Sequence, residues 1–369
     1  MSHSSSKIYV VSIFVKRIIP KNSIAVESNW QKELANCFTT LESLLEFLNL
    51  DPQIANKHSA ARKLFPMKVP RHFANLMKKN DINDPLLLQV LPQNVEYKDT
   101  PGFVKDPLQE HENTTKGLLH KYENRVLLII KSGCAVNCRY CFRREFPYEE
   151  NAVNKRELEN AIDYIRQNNK IIEVILSGGD PLMAKDDHLK WLVTKLEEIP
   201  HVVRLRVHTR LPVVIPSRVN EDFIDWFAKC RFQKVLVLHT NHANEISPEL
   251  AVACTKMRSA GITLLNQAVL LKGINDNSKE QIALSESLFN LGVLPYYLHL
   301  LDKVRGAAHF DVDVESAQIL MRELIKRLPG YLVPKLVTEI GGQPSKTPID
   351  LNLQPSSSTT LGISVDIRT

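Results

Sequence analysis

Residues 125–144 read RVLLIIKSGCAVNCRYCFRR, an apolar run followed almost at once by Cys134, Cys138 and Cys141. The run is short, continuous and rich in branched residues, which predicts a strand buried on both faces. The cysteines then occupy the loop leaving its C-terminal end, the edge where barrel-type α/β enzymes assemble their sites. A CxxxCxxC spacing on one loop offers three thiolates to a 4Fe–4S cluster and leaves the fourth iron without a protein ligand. An open iron is a reactive position, so the spacing points to chemistry rather than electron storage. The alternative is structural zinc, which wants four closed ligands; no fourth Cys or His lies within the loop.

Downstream, strand-like and helix-period segments alternate. Strands are predicted at 126–131, 171–177, 202–208, 234–239, 263–271 and 293–300. Helices are predicted near 155–167, 186–198, 221–229, 248–260, 278–290 and 314–328. Six βα units imply a parallel, curved sheet with outer helices, fewer than the eight of a closed barrel. Periodicity alone leaves a doubly wound open sheet as an alternative. Upstream, residues 29–92 are amphipathic and helical, with Leu41, Leu44, Leu45, Phe47 and Leu48 at helix spacing and Pro66, Pro70, Pro85 and Pro92 dividing the later pieces. Residues 93–119, with Pro101-Gly102 and Asn113-Thr114-Thr115, read as loop. No internal repeat is evident, and the one biased tract is Ser356-Ser357-Ser358.

The 369 residues, 44% hydrophobic, suffice for one large domain and a smaller one. A net charge of +6 permits an acidic partner but does not demand nucleic acid. Lys68 to Lys79 (KVPRHFANLMKK) reads as a solvated helix face rather than an RNA-binding patch. Cys37, Cys230 and Cys254 are spaced like ordinary buried thiols and suggest no disulfide framework, which fits a reducing cytoplasm. The apolar run 8–15 is too short to span a bilayer, so no membrane is expected. The first 26 residues lack acids and carry Lys7, Lys16, Arg17 and Lys21, but the apolar run ends in Lys16-Arg17 with no small-residue cleavage site. A short N-terminal extension is expected there.

Two further motifs carry chemistry. The predicted strand 171–177 ends in Ser177-Gly178-Gly179-Asp180-Pro181. Glycines at a strand end let backbone approach a ligand, and the Asp180 carboxylate suits an ammonium. Near the C-terminus, Glu339-Ile340-Gly341-Gly342-Gln343-Pro344-Ser345-Lys346-Thr347-Pro348 forms a sharp loop that displays one lysine. A lysine displayed in an apolar site can form a Schiff base with a carbonyl cofactor.

The cysteine loop, with Tyr140 before the third cysteine, resembles the signature of the radical S-adenosyl-L-methionine (SAM) superfamily. That resemblance implies a radical SAM partial (βα)6 barrel in which the free iron binds SAM and Ser177, Gly178, Gly179 and Asp180 hold its amino group. The Lys346 loop resembles the pyridoxal 5′-phosphate (PLP) segment of the lysine 2,3-aminomutases, which implies that Lys346 carries PLP. Lys121-Tyr122-Glu123-Asn124-Arg125 resembles their phosphate-gripping segment and nominates Lys121, Tyr122 and Arg125, with Lys121 standing where the family has Arg. The match runs over roughly 29–353 and includes Leu211 to Pro216 (LPVVIP), Asn241 to Glu245 (NHANE) and Leu265 to Leu271 (LNQAVLL). It is strongest to the branch that modifies elongation factor P, through Cys134 to Tyr148 (CAVNCRYCFRREFPY), Asp180 to Lys185 (DPLMAK) and Leu332 to Lys335 (LVPK).

By that resemblance Arg143 clamps the substrate carboxylate, while Asp302 and Glu339 receive the side-chain ammonium of L-lysine. Glu339 is one methylene longer than the family's Asp. His239 and Gln267 seat SAM and PLP, with His239 near the adenine. The implied activity is conversion of L-lysine to (R)-β-lysine, with flavodoxin or ferredoxin as reductant and a lysyl ligase attaching the product to elongation factor P. An aminomutase of another amino acid, an RNA-modifying radical SAM enzyme and a non-catalytic partner that keeps the fold are the alternatives. Asn277 follows Gly273-Ile274-Asn275-Asp276 and no cysteine follows Cys254, so the structural zinc of longer relatives should be missing. The expected organisation is an N-terminal extension (1–28), a helical N-terminal domain (29–95), a connecting segment with PLP-phosphate contacts (96–124), the barrel (125–330) and a C-terminal segment with the PLP-lysine loop (331–369).

Overall fold

The structure, a computed structural model, describes residues 30–57, 65–110, 116–146 and 154–353. The N-terminal extension, Tyr148 and the serine tract named above lie outside the described residues. Nine strands form one sheet whose spatial order is the chain order. They are β1 (Leu118–Tyr122), β2 (Arg125–Lys131), β3 (Glu173–Gly178), β4 (Arg204–Thr209), β5 (Gln233–His239), β6 (Thr263–Val269), β7 (Leu294–His299), β8 (Lys335–Thr338) and β9 (Thr347–Pro348). Strands β2 to β8 run parallel, while β1 and β9 pair antiparallel at the two edges. Successive parallel strands are joined through α1 (Lys155–Gln167), α2 (Asp186–Glu197), α3 (Glu221–Lys229), α4 (Pro248–Ser259), α5 (Ser278–Asn290) and α6 (Val314–Arg327). This is the expected partial (βα)6 barrel, with three strands beyond the six predicted.

The local chemistry explains these elements. Every residue of β3 is buried, because a parallel strand is covered by helices on one face and by the barrel interior on the other. Five of the six outer helices start at an Asn, Ser or Asp whose side chain accepts from the first turn: Asn154, Asn220, Ser247, Asn277 and Asp313, over 2.8–3.1 Å. Leu158, Ile162 and Ile165 on α1, and Leu189, Leu192 and Leu196 on α2, recur at helix spacing and are buried against the sheet.

The N-terminal region is helical, as expected, and Leu41, Leu44, Leu45 and Leu48 are fully buried. Its backbone also braces the cysteine loop: the Lys68 carbonyl accepts from Asn137 N (3.0 Å) and the Gln89 carbonyl from Arg139 N (2.9 Å). The expectation of loop over 93–119 needs correction. A 3-10 turn occupies Asn94–Tyr97, and β1 begins at Leu118. Strand β1 escapes sequence patterning because LLHKY barely alternates; its partner across a tight turn, with Tyr122 opposite Arg125, makes it a strand. Strands β8 and β9, four and two residues long, are too short for a period to register. Cys230 and Cys254 are buried as expected, whereas Cys37 is only half-buried.

Candidate functional site

A cavity of about 310 Å³ opens at the C-terminal ends of the parallel strands. Every candidate residue lines it: Cys134, Cys138, Cys141 and Arg143 after β2, and Ser177, Gly178, Gly179 and Asp180 at the end of β3. His239 on β5, Gln267 on β6, Asp302 after β7, Lys121, Tyr122 and Arg125 on the β1–β2 hairpin, and Glu339 and Lys346 beside the β8–β9 turn complete the set. Residues from positions 121 to 346 thus share one chamber.

Burial, then the charges of Asp180 and the two other cysteines, pushes the Cys134 thiol well above the ordinary range. Burial and Cys138 push Cys141 up to about 11. Two thiols held protonated by burial and by their neighbours' charge need a multivalent cation to ionise, which suits a cluster. No three His, Cys, Asp or Glu side chains among the described residues converge on a single ion position, whereas a 4Fe–4S cluster spreads its thiolates over separate irons. Two cations of this loop are structural. Arg139 meets Glu96 at 2.9 and 2.5 Å and Arg144 meets the same carboxylate at 2.7 Å, with these side chains at most 2% exposed.

The β3-end motif also has contacts within the chain, beside its expected role toward SAM. Gly178 has φ +117°, and a Cβ there would stand 2.6 Å from the Lys131 carbonyl. A Cβ on Gly179 would run into the backbone of Gly133. The glycines therefore let β3 press against the cysteine loop rather than only against a ligand. Asp180 is not left open for an ammonium. Its carboxylate accepts from the Thr209 hydroxyl (2.7 and 2.9 Å) and from the backbone N–H groups of Leu182 (3.0 Å), Arg210 (2.8 Å) and Leu211 (2.9 Å). It pins the end of β4 to the end of β3.

At the other end of the chamber, hairpin register sets the geometry. Thr338 pairs with Thr347, so the flanking Glu339 and Lys346 face each other and form an ion pair. Glu339 also accepts from Lys121 Nζ (2.9 Å) and Tyr122 Oη (3.2 Å). Burial pushes the Glu339 carboxyl up, but Lys346 and Lys121 outweigh it and hold the group down at about 2. Lys121 and Tyr122 thus already grip an anion, the donor chemistry a phosphate needs. Asp302 differs: its carboxyl accepts no hydrogen bond among the described residues. Burial, then repulsion by Glu339, raises it to about 7.

Arg143 is not open either. Its guanidinium forks onto Glu110 (2.8 and 3.2 Å), and Nη1 donates to the Gly178 carbonyl (3.1 Å) and weakly to Ser177 Oγ (3.4 Å). His239, with His208 on β4 and His299 on β7, lines the same chamber. Burial holds all three neutral, His239 down at about 3. Gln267 donates from Nε2 to His239 Nε2 (2.9 Å), and its Oε1 has no partner among the described residues. A flat neutral imidazole beside a free amide oxygen suits an adenine with its exocyclic amine.

Sequence reasoning missed Glu110, His208, His299 and Arg210. Arg210 donates to Cys138 Sγ (2.7 Å), Tyr140 Oη (2.6 Å), Gln89 Oε1 (2.7 Å) and Glu245 Oε2 (2.8 Å). Its only linear signal was adjacency to the Leu211–Pro216 stretch. The buried histidines were foreshadowed by lying at predicted strand ends, and Glu110 by nothing local.

The profile of the Radical SAM superfamily matches residues 128–284. The L-lysine 2,3-aminomutase of Escherichia coli (strain K12) is 52% identical over 329 residues, 88% of this chain and 96% of that protein. That of Haemophilus influenzae is 51% identical over 334 residues, 90% of this chain and 98% of that protein. A glutamate 2,3-aminomutase of Clostridioides difficile is 31% identical over 324 residues, 87% of this chain and 76% of that protein.

Proposed function

The chain belongs to the lysine 2,3-aminomutase family within the radical SAM superfamily, and from that premise we propose that it converts L-lysine to (R)-β-lysine, which a separate ligase attaches to elongation factor P in the cytoplasm. It is an isomerase of the radical SAM aminomutase class, with a 4Fe–4S cluster, SAM and PLP as cofactors. Asp302 is the observation that carries lysine as substrate. A carboxyl on the cavity wall with no hydrogen-bond donor among the described residues is the complement of an ε-ammonium. A glutamate side chain would instead add a third carboxylate beside Asp302 and Glu339.

When bound, the cluster and SAM supply hydrogen-atom abstraction and return, and PLP supplies the π system that carries the migrating nitrogen. Cys134, Cys138 and Cys141 would hold three irons, with flavodoxin or ferredoxin as electron donor. Ser177, Gly178 and Gly179 would contact the amino end of SAM, and His239 with Gln267 its adenine. Lys121, Tyr122 and Arg125 would hold the phosphate, and Lys346 the carbonyl carbon of PLP. With Lys346 so engaged, Glu339 would be free to turn its charge toward the substrate ammonium, beside Asp302. Arg143 takes the α-carboxylate. Anchored at both ends, the substrate chain would be held in one orientation within the chamber. No side chain need act as a general base for a 1,2 shift of nitrogen.

The test is anaerobic reconstitution with iron, sulfide and PLP, followed by SAM, dithionite and L-lysine, with chiral mass spectrometry of the product. (R)-β-Lysine from the wild type, and none from Lys346→Ala or Cys138→Ala, is expected. SAM cleavage without β-lysine would leave the cluster assignment standing and overturn the lysine assignment.

A further inference from the structure

Residues 103–110 cross the mouth of the barrel as a strap. At one end Val104 bridges Val304, its N–H donating to the Lys303 carbonyl (2.9 Å) and its carbonyl accepting from Arg305 N (2.9 Å). At the other end Gln109 lies against the β8–β9 turn, where a Cβ on Gly341 would stand 3.0 Å from its side chain. Glu110 follows at once, its N–H held by Asp106 Oδ1 (3.0 Å). The strap therefore delivers the Glu110 carboxylate to Nε and Nη2 of Arg143, the edge of a guanidinium that best fits a carboxylate fork. The remaining Nη1 is turned toward Gly178 and Ser177 on β3. Arg143 and Glu110 are only 8% and 11% exposed, so an arginine stripped of its anion there would be a buried unpaired charge. The Glu110 charge is also felt at Asp302 and Tyr122, which places it inside the same chamber.

We propose that Glu110 is a specificity-determining residue: it occupies Arg143 in the absence of substrate, and only a ligand carrying its own free carboxylate can take its place. This rests on the assignment of Arg143 to the substrate carboxylate. The exchange keeps one anion on Arg143 throughout and releases Glu110 toward the mouth. An amine without a carboxylate cannot make the exchange. Neither can a lysine within a polypeptide, whose carboxyl is tied up as an amide.

The test measures binding of L-lysine and L-lysinamide to the PLP-loaded protein by calorimetry, without SAM or reductant. The wild type is expected to prefer L-lysine. Glu110→Gln removes the competing anion, and L-lysine should then bind about tenfold more tightly, while lysinamide is unchanged. Glu110→Asp, too short for the same fork, is measured alongside should the glutamine variant fold poorly, and should shift in the same direction. Unchanged or weaker L-lysine binding by the folded variants overturns the proposal, since Glu110 would then merely orient Arg143. Equal binding of L-lysine and lysinamide by the wild type would overturn the Arg143 assignment itself, and the proposal with it.

Discussion

Replacing Asp302 by asparagine keeps the side chain's size and removes its charge. Burial first, then Glu339 and Glu110, lift this carboxyl from 3.8 to about 7, against the opposing pull of Lys346 and Lys121. At 1.36 kcal/mol for each tenfold change in the ionisation equilibrium, a rise to about 7 makes ionisation of Asp302 cost about 4 kcal/mol. The folded protein holds a proton here that the unfolded chain has lost, so this group lowers stability as pH rises from about 4 to about 7. Asp302→Asn removes that slope and should stabilise the ligand-free protein near neutrality.

Binding should respond in the opposite sense. An ε-ammonium supplies the missing partner, so L-lysine affinity should rise about tenfold per pH unit below about 7 and level off above it. In the asparagine variant the lost charge-assisted contact, worth about 1.5–3 kcal/mol, should weaken L-lysine roughly 10- to 150-fold. Thermal melts and calorimetric titrations of the PLP-loaded protein from pH 5.5 to 8.5 read both effects. Wild-type L-lysine affinity in the asparagine variant, or a wild-type affinity flat between pH 5.5 and 7, would refute the reasoning.

Other perturbations test the scaffold. Gly179→Ala drives a methyl group into the backbone of Gly133 and should destabilise the protein by roughly 1–3 kcal/mol while lowering its bound iron; a melt and an iron assay check this, and wild-type values in both would sink the contact. Glu96→Gln strips the shared anion from buried Arg139 and Arg144 and should cost about 3–5 kcal/mol in denaturant unfolding. A loss below about 1 kcal/mol would show that those arginines find other partners or water.

The alternation of six strands and six outer helices was legible because its periods are local, and strand and helix bounds agree to within a few residues. So was the cysteine spacing, since a single loop carries all three thiols. Resemblance nominated residues scattered from 121 to 346; parallel strands deliver many of them from C-terminal ends that share one side, while the antiparallel β1–β2 hairpin brings Lys121, Tyr122 and Arg125 into the same chamber. Strands β1, β8 and β9 were not legible. Each is short, and pairing with a neighbour rather than pattern makes it a strand.

The partners of the charges were equally hidden. Sequence offered Asp180, Arg143 and Glu339 as open ligands, and each proved to have a companion within the chain. Asp180 pins two strand ends, Arg143 is forked onto Glu110 at a separation of 33 residues, and Glu339 bridges Lys346 to Lys121, 218 residues upstream. Local sequence determined the strand–helix alternation and the cysteine loop, through periodicity and spacing, and resemblance nominated most other residues of the chamber. Only the tertiary structure decided which charge meets which, because a buried ion must find its counterion among whatever strand ends the fold brings within reach.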